Sequence, residues 1–273
     1  MTEILLSGSE EAPLSRALRD LRSGLTDWKL WGFLGWHDIR QRYRRSTLGP
    51  LWVALSMAVN VAAIGLIWGT LFGLDARGFV PYLCLGMLTW NLILGIINDG
   101  CQTFIGQASG FITHINRPLS TYVFWVIWRN LLIALHTFIV YVGVAIVFGI
   151  VPNQNTLMIL LSLPLLIFAI AWAALFFGLI SARFRDIPQI VQSILTVAFF
   201  VTPVLWKVEQ LGARAYLAAW NPMTHLMELV RAPLLGDPIF AVTWAAALAT
   251  GVAGWAVTLL IFTRCRARLP YWL

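Results

Sequence analysis

The chain has 273 residues, 59% of them apolar and only 11% charged, with a mean hydropathy of +0.79 and a net charge of +7. A soluble domain carries about 25% charged residues, so this composition excludes soluble, disordered, collagen-like and disulfide-scaffold proteins and places the chain in a bilayer. The basic excess sits in short clusters beside apolar runs, as in the flanks of membrane helices, and does not form the continuous groove that binds nucleic acid.

Residues 1–27 mix Glu3, Glu10, Glu11, Asp20 and Asp27 with basic residues and contain no apolar core of the kind a cleavable signal needs. They read as a cytoplasmic tail. Residues 28–48 read as an amphipathic helix lying in the interface plane. Trp28, Trp31, Phe33, Leu34, Ile39 and Tyr43 would sit at the acyl boundary, with Arg40, Arg42, Arg44 and Arg45 among the headgroups. Two roles stay open for these arginines: attracting a pyrophosphate-bearing lipid, or acting as a topology-setting flank that meets bulk anionic lipid.

Residues 49–273 read as a transmembrane domain, and the fold class is all-α integral membrane with six transmembrane helices. A spanning helix needs roughly 20 apolar residues. The runs that meet this are Gly49 to Phe72, Pro81 to Thr103, Leu119 to Ile150, Leu157 to Ile180, Pro188 to Leu205 and Pro238 to Phe262. Semi-polar Phe104 to Pro118 separates the second and third spans. The tight loop Arg183-Phe184-Arg185-Asp186 separates the fourth and fifth. Trp206 to Asp237 mixes Lys207, Glu209, Arg214, Glu228 and Arg231 with prolines, which predicts two short amphipathic or re-entrant helices in place of a straight span.

Charge sets the orientation. With the N-terminus inside, inner segments carry Arg16, Arg19, Arg22, Lys29, Arg40, Arg42, Arg44, Arg45, Arg117, Arg183, Arg185, Arg264, Arg266 and Arg268. The outer segments carry Arg77, Lys207, Arg214 and Arg231. That bias predicts a multi-pass protein with both termini cytoplasmic.

Asp99 and Arg129 are charges inside predicted spans. They are functional candidates, or an intramembrane ion pair that fixes helix packing. The lysines are Lys29 and Lys207, neither in a Gly-Lys-[Ser/Thr] setting, so the chain has no phosphate-binding loop. Neither Gly-x-Ser-x-Gly nor His-Glu-x-x-His occurs, and the scattered cysteines and histidines argue against a metal site. No catalytic residue is assigned. His225, Glu228 and Arg231 share one helical face, as an acid/base cluster, a polar gate or a solvated surface. Among aromatics inside spans, Trp125, Trp128, Phe176, Phe199 and Phe200 are either packing residues or the wall of a channel for sugar rings.

Four stretches carry a family resemblance. Trp36-His-Asp38-Ile39-Arg40-Gln-Arg42-Tyr43-Arg44-Arg45-Ser46-Thr-Leu48-Gly49-Pro50-Leu-Trp52 resembles the entry signature of polysaccharide-exporting ABC transporter permeases of the O-antigen type. Asn116-Arg117-Pro118 leading to Trp128-Arg129-Asn130 resembles the family's cytoplasmic loop and third span. Phe184-Arg185-Asp186-Ile187-Pro188-Gln189 with Thr202-Pro203-Val204-Leu205-Trp206 resembles its fourth-to-fifth connection and fifth span. Asn221-Pro222 through His225, Glu228, Arg231, Pro233 and Gly236 resembles the external region before the last span.

The resemblance implies a homodimer of permeases in the bacterial inner membrane, served by two copies of a separate ATPase that binds ATP and Mg; this chain itself holds no cofactor. The cargo implied is a polysaccharide on undecaprenyl diphosphate. Phe111, His114, Asn116 and Arg117, with Arg185 and Asp186, would couple to the ATPase. Asn221, Pro222, His225, Glu228 and Arg231 would belong to a periplasmic gate. Two rivals remain: the same architecture carrying capsule, teichoic acid or a drug, and a membrane-embedded transferase acting on a lipid phosphate.

Overall fold

In hydrocarbon every backbone N–H and C=O must find a partner within the protein, so long apolar runs fold as helices. The computed structural model describes residues 12–42, 44, 49, 51–107, 109–114 and 117–272, and no strand occurs among them. The order is α1 (Pro13–Thr26), α2 (Trp28–Arg42), α3 (Leu51–Phe72), α4 (Ala76–Gln102), a π-helical turn (Thr103–Gln107), α5 (Ser109–His114) and α6 (Leu119–Phe148). It continues with α7 (Ile159–Arg183), α8 (Ile187–Val201), α9 (Tyr216–Trp220), α10 (Pro222–Leu235) and α11 (Ala241–Cys265).

Five stretches are long and apolar enough to cross a membrane: Leu51–Phe72, Ala76–Gly106, Leu119–Phe148, Gln154–Arg183 and Ala241–Tyr271. The predicted fifth span differs. Helix α8 has 15 residues, a length of about 22 Å against a hydrocarbon core of about 30 Å. It ends at Thr202 and Pro203, because proline offers no N–H and disfavours a helical residue before it. The chain then turns inward, burying Val204 and Leu205.

Helix α4 is the axis of the bundle, with α3, α6, α7, α8 and α10 all packed on it. Small residues allow the closest crossing. A Cβ on Gly100 would stand 2.5 Å from the Ala174 Cα, and one on Gly178 would stand 2.9 Å from the Gly100 carbonyl oxygen, so α4 and α7 touch backbone to backbone. In the same way, Gly251 and Gly254 of α11 lie under the rings of Phe168 and Trp172.

The supposed N-terminal tail contains α1. Ala17, Asp20 and Gly24 form its buried face, packed on α6 and α11. The Asp20 carboxylate accepts from the Leu119 N–H (3.2 Å), the Ser120 N–H (3.0 Å) and the Ser120 hydroxyl (2.8 Å). It therefore caps the otherwise unpaired first turn of α6 and places a negative charge at its positive end. Arg266 Nε, from the turn after α11, donates to the same carboxylate at 3.0 Å. Asp20→Ala should cost about 1–2 kcal/mol, lower the thermal unfolding midpoint in detergent and speed tryptic cleavage after Arg22. An unchanged midpoint with unchanged cleavage would show that α1 is not clamped this way.

Candidate functional site

At the end of the bundle that carries α1 and the C-terminal turn, Arg129 is the central group. Its residue exposure is 2%. Nη1 donates to Asp38 Oδ2 of α2 at 3.0 Å, and Nη2 stands 2.8 Å from Asp99 Oδ2 of α4. The Asn130 amide donates to the same Asp99 oxygen at 2.8 Å. One guanidinium thus faces two carboxylates from two other helices, and Asp38 is a partner the spacing of the spans did not suggest. Nearby, Asn98 donates to Gln192 of α8 at 2.6 Å.

Because α2 is held to α6 in this way, its faces differ from the sequence expectation. Gly35 lies against Trp128 and the Arg129 backbone, Ile39 is buried, and Trp31 meets Trp128 edge-on with centroids 5.7 Å apart. The outward face carries Phe33, Trp36 and Arg40 together. Arg40 and Arg44 border an open groove of about 780 Å³ with Trp36 and His37. Arg42 borders a different groove of about 430 Å³ with Asp38, Trp125 and Arg129. Arg45 lies outside the described residues.

Phe104 to Pro118 divides in two. Phe104 is fully buried, its ring against Gly178, so the π-helical turn belongs to the core. Beyond it, α5 presents Phe111, which is 39% exposed and whose ring meets the edge of Trp125 at 6.1 Å. His114 is the last residue of α5, and Asn116 lies outside the described residues. Arg117 is exposed and stands 3.7 Å from Asp27. At the same end, Arg185 and Asp186 are exposed between α7 and α8, and Arg185 donates weakly to the Trp272 carbonyl at 3.4 Å.

The opposite end is organised by Arg231, 1% exposed. Nη2 donates to the Pro203 carbonyl at 2.8 Å, Nη1 donates to Glu228 at 3.1 Å, and the guanidinium stacks 3.7 Å from the Tyr82 ring centre. The Tyr82 hydroxyl donates to the carbonyls of Pro203 and Trp206, each at 3.1 Å. These donors satisfy carbonyls that the break after α8 leaves without helical partners. Asn221 caps α10 through the Met223 N–H (3.0 Å) and donates to the Thr202 hydroxyl (3.0 Å), with Pro222 in the first turn where it needs no N–H. Gly236, at φ 91°, ends α10, and its carbonyl accepts from Asn153 (2.8 Å) and Asn155 (2.9 Å).

His225 does not join Glu228 and Arg231. Its ring nitrogens meet the Ala219 carbonyl (2.9 Å) and the Thr243 hydroxyl (3.3 Å). The five aromatics singled out as pore candidates lie in three places. Trp125 and Trp128 pack at α5 and α2, Phe176 lies between Trp172 and Phe177, and Phe199 contacts Trp90 and the exposed Phe200. Among the described residues, no three His, Cys, Asp or Glu side chains group as metal ligands. Besides Asp38, two features escaped the sequence reading. For the α1 clamp, the leucines at 14, 18, 21 and 25 were a helical signal; for the Tyr82 donor no local signal existed.

Residues 29–235 match the ABC-2 type transporter family. The chain is 27% identical over 203 residues to the O-antigen export system permease protein RfbA of Myxococcus xanthus, covering 71% of this chain and 76% of the relative. It is 22% identical over 202 residues to the polysialic acid transport protein KpsM of Escherichia coli, with coverage of 71% and 76%. A second O-antigen export system permease protein RfbA, from Klebsiella pneumoniae, is 23% identical over 197 residues, with coverage of 70% and 74%. The family match runs from α2 to the last residue of α10, so α1 and α11 lie outside it.

Proposed function

The chain belongs to the ABC-2 type transporter family, and from that premise we propose that it is the permease subunit of an ABC transporter exporting O-antigen across the bacterial inner membrane. The observation that carries this reading is its likeness, over 70% of its length or more, to two O-antigen export permeases. The cargo is a polysaccharide carried on undecaprenyl diphosphate and moved from cytoplasm to periplasm. Capsular polysaccharide is the second reading, favoured by the equally extensive likeness to a polysialic acid transport protein.

Two permeases and two ATPases make the working unit. The missing Gly-Lys-[Ser/Thr] loop supports hydrolysis in a separate subunit, which holds ATP and Mg. A polymer cannot be enclosed at one midplane site, so the conduit runs between two copies. The exposed apolar faces of α3 (Val59, Leu66) and α8 (Ile194, Val197) supply surface for that contact and for lipid. The positive-inside bias supports cytoplasmic termini. In that orientation α8 and the buried turn after it make a sixth, broken crossing, and α9 and α10 with the Val208–Arg214 turn form a periplasmic gate.

Arg40 and Arg44, exposed in one groove at the cytoplasmic surface, receive the diphosphate headgroup. Arg129 is committed to Asp38 and Asp99 and serves instead to hold α2 against the bundle. Helix α5 and the Arg185–Asp186 loop receive the ATPase. Phe111→Ala should lower export about tenfold, within the usual range of coupling energies, while the assembled complex still hydrolyses ATP. Export at the unsubstituted rate would remove α5 from the coupling path.

The reading is tested by purifying the tagged protein in mild detergent from its host, assaying the eluate for ATP hydrolysis, and examining which glycan accumulates when the gene is deleted. A near one-to-one ATPase with intracellular lipid-linked O-antigen is the expected result. Accumulated capsular polymer would move the cargo to the second reading. A permease that emerges alone after cross-linking, with no glycan retained, would overturn the transporter assignment.

A further inference from the structure

The end of the bundle organised by Arg231 also contains a cavity of about 630 Å³, within the size range of small-molecule sites. Its walls carry Arg77, Lys207 and Arg231 against Glu209, Glu228 and Asp237, so cationic and anionic side chains balance. Two of its lining residues are more than nine-tenths buried and keep polar atoms without partners: the Thr224 hydroxyl and Arg231 Nε. Buried polar groups without partners are uncommon and point to something that pairs with them. At the rim stands Phe240, 72% exposed at the start of α11.

A phosphate would meet three carboxylates in this cavity and a metal cation three basic groups. A neutral polyol meets donors and acceptors in equal supply, and an exposed ring suits the apolar face of a pyranose. We propose that this cavity is a saccharide subsite that holds one or two sugar rings of the exported chain as it leaves the gate. Glu228 and Asp237 accept from sugar hydroxyls, Lys207 and Arg231 Nε donate, and Phe240 covers one ring face. Hydrogen bonds of this kind to neutral hydroxyls are individually weak, so a sugar held here can be released. The inference rests on the polysaccharide reading of the cargo.

The test uses the full transporter in its host. A benzophenone amino acid is placed at position 240, cells are irradiated, and permease adducts are stained for carbohydrate; the same probe at Ile146, an exposed residue of α6 outside the cavity, is the control. Glycan-bearing adducts are expected from position 240 and not from 146. Lys207→Met and Asp237→Asn, which leave the Arg231–Glu228 pair intact, should each reduce adduct yield about tenfold, as for the loss of a hydrogen bond to a charged group. If glycan still reaches the cell surface at the normal rate while no adduct carries sugar, or if the two substitutions leave the yield unchanged, the subsite is refuted and the transporter reading stands. A host that exports no glycan through this protein overturns both.

Discussion

Arg129→Met is expected to destabilise the protein by about 1–3 kcal/mol, the cost of leaving polar groups without their partner, and less than the loss of a fully buried pair because both carboxylates are partly exposed. Methionine fills much of the same space, so the loss is chiefly electrostatic. The Arg129 side chain is 3% exposed, whereas those of Asp38 and Asp99 are 24% and 32% exposed. Without the guanidinium two partly exposed carboxylates on different helices are left without their shared countercharge, and α2 loses its polar tie to α6. The thermal unfolding midpoint should fall, and tryptic cleavage after Arg40 and Arg42 should accelerate.

Asp38→Asn in the same chain should restore part of that loss, because it removes one of the stranded charges. The double variant should therefore be more stable than the sum of the singles by about 0.5–3 kcal/mol. Arg129→Lys should remain impaired, since one ammonium cannot present two nitrogens to carboxylates on two helices. Strict additivity in the cycle would show that Arg129 does not act through Asp38.

Gly100→Val is expected to prevent the protein from accumulating in the membrane. Inserting methylenes into a packed core costs about 1–3 kcal/mol when neighbouring side chains can move. Here the nearest neighbour is the Ala174 Cα at 2.5 Å, followed by its Cβ at 2.8 Å, so the helices themselves must separate. Separation of α4 from α7 would loosen the axis of the bundle and expose the ring of Phe104. Gly143→Val is the matched control: a Cβ at Gly143 of α6 meets nothing within 4 Å, and that variant should accumulate normally. Equal accumulation of the two variants would show that the close crossing is not required. Ala174→Gly should partly rescue Gly100→Val, because it removes the obstructing Cβ at 2.8 Å while the Ala174 backbone stays in place.

Much of this arrangement is legible along the chain where the physical cause is itself linear. Hydropathy places the third span at Leu119 to Ile150, and α6 occupies Leu119–Phe148, because a glycine at 149 with φ 69° ends the helix. The fourth and sixth spans are displaced from α7 and α11 by only a few residues. Misreadings fall where an element is completed by a distant one. Residues 13–26 look like a charged tail until Asp20 is seen capping a helix about a hundred positions later. The run from Pro188 to Leu205 looks like a single span until Arg231 and Tyr82 are seen supporting the broken backbone at Pro203. His225, Glu228 and Arg231 share spacing on one helix, but His225 is engaged by α9 and α11.

Composition and charge by themselves determined that this chain is a multi-pass helical membrane protein without a nucleotide-binding loop, because apolar length, charge bias and residue absence are sums along one dimension. Tertiary structure alone decided that Arg129 joins α2 to α4 through α6, that the five aromatics pack in three places, and that a charge-balanced cavity lies beside Arg231. Those outcomes depend on which helical faces meet, and a low-dielectric interior gives each buried charge a preference for some partner without specifying which. The choice is made by distance, and distance between helices is set by small residues such as Gly35, Gly100 and Gly178, whose importance lies in what stands opposite them.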